Sequence, residues 1–149
     1  MNITEKILAR ASEKNTVSPD DIVFAKVDKV MVHDVSGPGV LKVFDKLQKQ
    51  GIDTSKLHDP SKVWIAEDHF VPSAEKISAE NIVKLSNFSK KYDIKKHFKY
   101  GMGQYGICHT LSHEEALVNP GDVYVGGDSH TNTTGALGEI GRASCRDRV

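Results

Sequence analysis

Short apolar runs that stop abruptly on titratable residues constrain this chain more than any other feature. Val123-Tyr124-Val125 ends on Gly126-Gly127, and Asp128-Ser129-His130-Thr131 follows at once. Val63-Trp64-Ile65-Ala66 runs straight into Glu67-Asp68-His69. Tyr105-Gly106-Ile107-Cys108 runs into His109. Runs this short are too brief for helices and read as buried strands. Each would deliver polar groups at its carboxyl end, where open α/β sheets bind ligands.

Helical spacing fills the intervals. Thr4 is positioned to cap a first helix with Ile7, Leu8 and Ala11 on one face. Ile22 to Val27 and Val30 to Val32 read as extended segments. Pro38 opens a second helix through Val40, Val43, Phe44 and Leu47, and Gly51 ends it. Ser78 caps a third through Ile82, Leu85 and Phe88. Phe98 to Tyr100 reads as a weak strand, and His109 to Leu117 as a short helix closed by Pro120-Gly121. Strands alternating with helices predict an α/β fold, with a mainly parallel sheet flanked by helices.

Composition narrows the function classes. The 149 residues suit one domain, and 20 basic residues balance 20 acidic ones. A nucleic-acid binder would show a basic excess, so none is expected as a partner. Neither is a membrane, since no apolar run approaches the roughly 18 residues of a span. The N-terminus carries no signal-peptide pattern, and two cysteines make no disulfide framework. These features predict a cytoplasmic, reduced protein.

A carboxylate beside an imidazole orients the ring and favours its protonated form, as acid–base chemistry requires. Asp68-His69 and Asp128-Ser129-His130 have that composition, and His109 ends the third segment. Each histidine alone also fits a satisfied polar residue at a core edge. Asp34, following His33, fits a helix cap as well as a substrate contact. Gly101-Met102-Gly103-Gln104-Tyr105-Gly106 formally fits the dinucleotide fingerprint. The stretch before it, Asp93 to Tyr100, is too charged for a buried first Rossmann strand. His109 and His113 stand four apart like zinc ligands, but no third ligand lies near them in sequence, and no metal site is expected among these residues.

Taken in order, Met31-Val32-His33-Asp34-Val35-Ser36 with Pro38, then Asp68-His69, Gly106-Ile107-Cys108-His109 and Gly127-Asp128-Ser129-His130-Thr131 resemble the opening motifs of the aconitase superfamily. The likeness runs from about residue 3 to 138 and favours the 3-isopropylmalate dehydratase and archaeal-type homoaconitase branches. It implies that residues 1–138 are the N-terminal part of an aconitase-like first domain. It also implies a hydro-lyase that isomerises a small hydroxy-di- or tricarboxylate by dehydration and rehydration, a step of leucine biosynthesis in the first branch. Homoaconitase or aconitase activity is the alternative; a non-catalytic α/β binding module is the competing class. Carried over by position, Asp68 and His69 match the pair that helps protonate the leaving hydroxyl. His109 matches a histidine paired with a carboxylate, and Asp128 matches that carboxylate. Ser129 and His130 match further active-site positions, and Asp34 and Ser36 are expected to contact substrate.

The same resemblance implies a [4Fe-4S] cluster in the full-length protein, with its ligand cysteines absent from this chain. Cys108 matches no cluster ligand. The resemblance further implies a small subunit carrying a swivelling domain with the proton-abstracting serine, so that the chain alone is expected to be inactive. Aconitase itself has glutamine where Pro38 aligns and asparagine where Thr133 aligns, which points away from citrate. From Glu139 to Val149 the chain is polar and basic and leaves the family pattern. That tail resembles the translated read-through of a sequencing-library adapter. It is expected to be non-native and to stay out of the packed structure.

Overall fold

A computed structural model describes residues 1–143. They divide into two compact units, residues 31–108 and residues 1–30 with 109–143. No helix among the described residues is long and apolar enough to cross a membrane.

In the unit of residues 31–108, β2 (Val63–Ala66) lies between β1 (Lys29–His33) and β3 (Lys96–Phe98). β2 and β3 run parallel, with Trp64 opposite Lys96 and Ala66 opposite Phe98. β2 is apolar at every position because Trp64, Ile65 and Ala66 are all buried, as a strand covered on both faces requires. Two helices pack within this unit: α2 (Gly37–Lys49) and α3 (Lys76–Lys91). Phe44 of α2 meets Phe88 and Tyr92 edge-on, with ring centroids 5.3 and 5.5 Å apart. Pro38 sits in the first turn of α2, and Gly51 follows its end at φ +78°, both as the sequence predicts. α3 begins two residues before Ser78, which is buried inside the helix and is not its cap.

In the other unit, α1 (Ile3–Ala11) lays Ile7 and Ala11 on Val123 of β4 (Val123–Gly126). Its cap is Asn2, not Thr4. The Asn2 side chain accepts the Glu5 N–H at 2.9 Å, and the Glu5 carboxylate accepts the Asn2 N–H at 2.8 Å. This reciprocal box leaves Thr4 inside the first turn. Asp28 locks β4 from the side: its N–H donates to Val123 O, and its carboxylate accepts the Val123 N–H at 2.9 Å and Arg10 Nη2 at 2.7 Å.

Ile22 to Val27, expected to be extended, forms no strand. Its backbone is tied at Lys26 to Ala11 O and at Asp28 to Val123 O, and Ile22 and Phe24 are 90 % and 95 % exposed. The helix expected from His109 to Leu117 is shorter, α4 spanning Cys108–Glu114.

The tail expectation is corrected at its near end. Ile140–Ala143 forms β5, parallel to β4, with Val123 opposite Ile140 and Gly126 opposite Ala143. Glu139 before it is buried and bonded to the Thr134 hydroxyl. Apolar periodicity does not announce this strand because its ladder to β4 holds it, with little help from its own side chains. Residues 144–149, Cys145 among them, lie outside the described residues.

The last residue of β4, Gly126, leaves no room for a side chain. A Cβ at Gly126 would stand 2.2 Å from Oγ1 of Thr131, a buried residue of the 3-10 segment Thr131–Leu137. Thr131 Oγ1 donates to Asp128 O at 2.7 Å, so the threonine cannot step aside without loosening the Asp128 turn. Gly126→Ala is therefore expected to cost about 1–3 kcal/mol by overpacking. Gly135→Ala, which meets nothing within 4 Å, should stay within about 0.5 kcal/mol. Urea denaturation of both variants checks this; equal midpoints would refute it.

Candidate active site

Each unit carries one cluster of imidazoles and carboxylates. In residues 31–108 the cluster is His33, Asp34, Asp68 and His69. β1 ends at His33 and β2 ends just before Glu67, so both pairs stand at strand ends. His69 Nδ1 lies 2.8 Å from Asp68 Oδ1, which places the proton on Nδ1. The other Asp68 oxygen accepts the Cys108 N–H at 2.6 Å. The Asp68 side chain is 3 % exposed, and that of His69 is 36 % exposed, so the carboxylate is enclosed while the ring stays reachable.

Burial alone would raise the Asp68 pKa. The Cys108 N–H, the Cys108 thiol and His69 together outweigh it and hold the carboxyl below its ordinary 3.8.

Asp34, expected to contact substrate, anchors the backbone of residues 69 and 70 in this structure. Its side chain is fully buried, and its oxygens accept the N–H groups of His69 (3.2 Å to each oxygen) and Phe70 (2.6 Å). The hydroxyl of half-buried Ser36 accepts the His33 N–H at 3.1 Å. Sequence reasoning missed His33, whose ring stacks on His69 with centroids 4.4 Å apart and planes 17° from parallel. It also missed Glu67, which is buried, pairs with His97 Nε2 at 3.0 Å and accepts the Tyr100 N–H at 3.2 Å. A buried acid directly before the Asp68-His69 pair was the available signal.

In the other unit the cluster is His109, Asp128 and His130. His109 Nε2 lies 2.8 Å from Asp128 Oδ1, and that oxygen also accepts the His130 N–H at 2.7 Å. His109 Nδ1 is buried with no hydrogen-bond partner among the described residues. With Asp128 taking the Nε2 proton, Nδ1 is left as a lone pair ready to accept another. Ser129 and His130 are exposed; Ser129 Oγ lies 3.2 Å from His130 Nδ1.

Neither alternative motif gains support. His109 faces Asp128, whereas His113 is exposed. The Gly101–Gly106 loop does run from β3 to α4, but the N–H that opens α4, that of Cys108, is taken by Asp68 and is not offered to a phosphate.

The aconitase family generally carries a [4Fe-4S] cluster. Cluster ligation takes three or four thiolates. Cys108 is the one cysteine among the described residues, and its thiol is engaged by Asp68. The described residues therefore do not fit that group.

A depressed carboxyl contributes stability that is fully present above its unfolded pKa and is lost as pH falls through its folded value. The stability gap between wild type and Asp68→Asn should thus be level from neutral pH to about pH 5 and close as pH drops below 3.8. Urea titrations across that range measure it; a gap that widens on acidification would overturn the assignment.

The model of the aconitase family (aconitate hydratase) matches residues 5–143. The 3-isopropylmalate dehydratase large subunit of Caldicellulosiruptor saccharolyticus is 44 % identical over 138 residues, covering 93 % of this chain and 30 % of the relative. That of Aquifex aeolicus is also 44 % identical, with the same coverage. The chloroplastic large subunit of Arabidopsis thaliana is 38 % identical over 148 residues, covering 94 % of this chain and 28 % of its own length. The chain thus spans about 30 % of the length of these relatives. With its carboxylate-held imidazoles and a family match across nearly its whole length, this chain belongs to the aconitase family.

Proposed function

We propose that this chain supplies proton-handling residues to an isomerase of the 3-isopropylmalate dehydratase type. Its substrate would be a small hydroxy-dicarboxylate, dehydrated to an alkene and rehydrated. Supporting this are the names and identities of the relatives. The observation that carries the chemical reading is that two imidazoles each have one ring nitrogen held by an aspartate.

Hydroxide is a poor leaving group, so the departing oxygen must gain a proton as its C–O bond breaks. Asp68 holds the His69 ring by Nδ1 and stabilises the imidazolium, which then gives a proton to the leaving hydroxyl. The products of that step are water and the alkene, once a base removes the C–H proton. In rehydration the same ring takes a proton back from water. In the other unit His109, held through Nε2 by Asp128, offers Nδ1 as a proton acceptor. Ser129 and His130 are proposed to contact the polar ends of the substrate, in keeping with their exposure.

The C–H base is proposed to come from a small-subunit partner, since the relatives are named large subunits. A [4Fe-4S] cluster, where bound in the full-length protein, would supply a Lewis acid for the hydroxyl. The proton steps above use only residues of this chain.

The test is kinetic. In the complete large subunit assembled with its small subunit, His109→Ala or Asp128→Ala should lower kcat by roughly 100-fold or more. KM should move less if the groups act mainly in the transition state. The 149-residue chain alone should not hydrate isopropylmaleate. Turnover within about threefold of wild type for His109→Ala would reject the assigned role.

A further inference from the structure

We propose that His33 and Asp34 are positioning residues that fix the backbone and ring plane of His69, and so keep Nδ1 on Asp68 and hold a single tautomer. This rests on the reading of His69 as the proton-handling group. The ring of a histidine can be displaced in three ways: its backbone can shift, its plane can tilt, and it can spin about the bond that carries it. Three separate contacts answer these. Asp34 receives the His69 N–H on both oxygens, at 3.2 Å each, and fixes the backbone from which the side chain starts. His33 lies under the ring, 17° from parallel, and fixes its plane. Asp68 takes Nδ1 at 2.8 Å and fixes the spin.

His33 is itself locked. Its Nδ1 accepts the N–H groups of Val35 at 3.0 Å and Ser36 at 3.3 Å. A nitrogen that accepts two backbone N–H groups carries no proton, so His33 is neutral with its hydrogen on Nε2. Protonating Nδ1 would break both bonds in a side chain that is only 2 % exposed. A neutral, locked ring beneath His69 gives support without competing for the proton or repelling the imidazolium. A phenyl ring could supply the stacking but could not accept the two N–H groups. An asparagine could accept through its side-chain oxygen but could not stack.

That contrast sets the experiment, which reads ring-nitrogen chemical shifts of the 15N-labelled 149-residue chain by long-range 1H–15N correlation. In wild type at about pH 7, where neutral histidine tautomers are resolved, His33 should show Nε2–H and His69 Nδ1–H. In His33→Asn the backbone shifts of Val35 and Ser36 should stay near wild type while His69 divides between both tautomers. In Asp34→Asn the amide signals of His69 and Phe70 should move and the His69 tautomer should again become mixed. The proposal is overturned if wild-type His33 carries its proton on Nδ1, or if His69 keeps a single Nδ1–H tautomer in His33→Asn. Should Asp34→Asn fail to fold, wild type and His33→Asn still decide. Because no readout involves turnover, a wrong substrate assignment and a wrong positioning assignment fail in different measurements.

Discussion

Backbone N–H groups donated to aspartate carboxylates are the interaction on which this architecture depends. Asp28 takes the N–H of Val123, Asp34 those of His69 and Phe70, Asp68 that of Cys108, and Asp128 that of His130. Such charge-assisted bonds are about twice as strong as neutral ones, and they leave a carboxylate little freedom to rotate. The groups lie at strand ends and turns, where sheet ladders run out and N–H groups would otherwise lack partners. In the two clusters the same carboxylates also hold imidazoles. Backbone satisfaction and side-chain orientation are thus one arrangement. A variant that disturbs the carboxylate disturbs both, so fold effects and chemical effects must be separated by measurement.

At Asp128 a short side chain suits the local turn. With one methylene, the carboxylate stays close to its own backbone and reaches N–H groups one or two residues away, as Asp128 does to His130. The longer Glu67 reaches further, to His97 and to the Tyr100 N–H across the β3 end.

Much of the fold was legible because buried strands must be apolar on both faces. Val63–Ala66 was read with its correct bounds for that reason. The pairings Asp68–His69 and His109–Asp128 formed on residues that motif order had already singled out. Other features had no local signature. β5 contains a glycine and an arginine in four residues and exists through its register with β4. Asn2 and Glu5 did carry a capping pattern, but Thr4 competed for the same role and lies one turn position too late. Asp34 read equally as a helix cap or a substrate contact, because the N–H groups it takes lie 35 and 36 positions away. His33 was hidden for the same reason: nothing near residue 33 in the sequence announces a ring near residue 69.

The large apolar side chains of Ile22 and Phe24 are almost fully exposed to solvent. Formal net charge is zero at pH 7, and the isoelectric point is about 7.1. Near neutrality this polypeptide therefore has almost no long-range repulsion to keep two such patches apart. Colloidal stability is lowest where enzymes are usually handled. A buffer about two pH units to either side of the isoelectric point restores repulsion between molecules and keeps concentrated samples monodisperse.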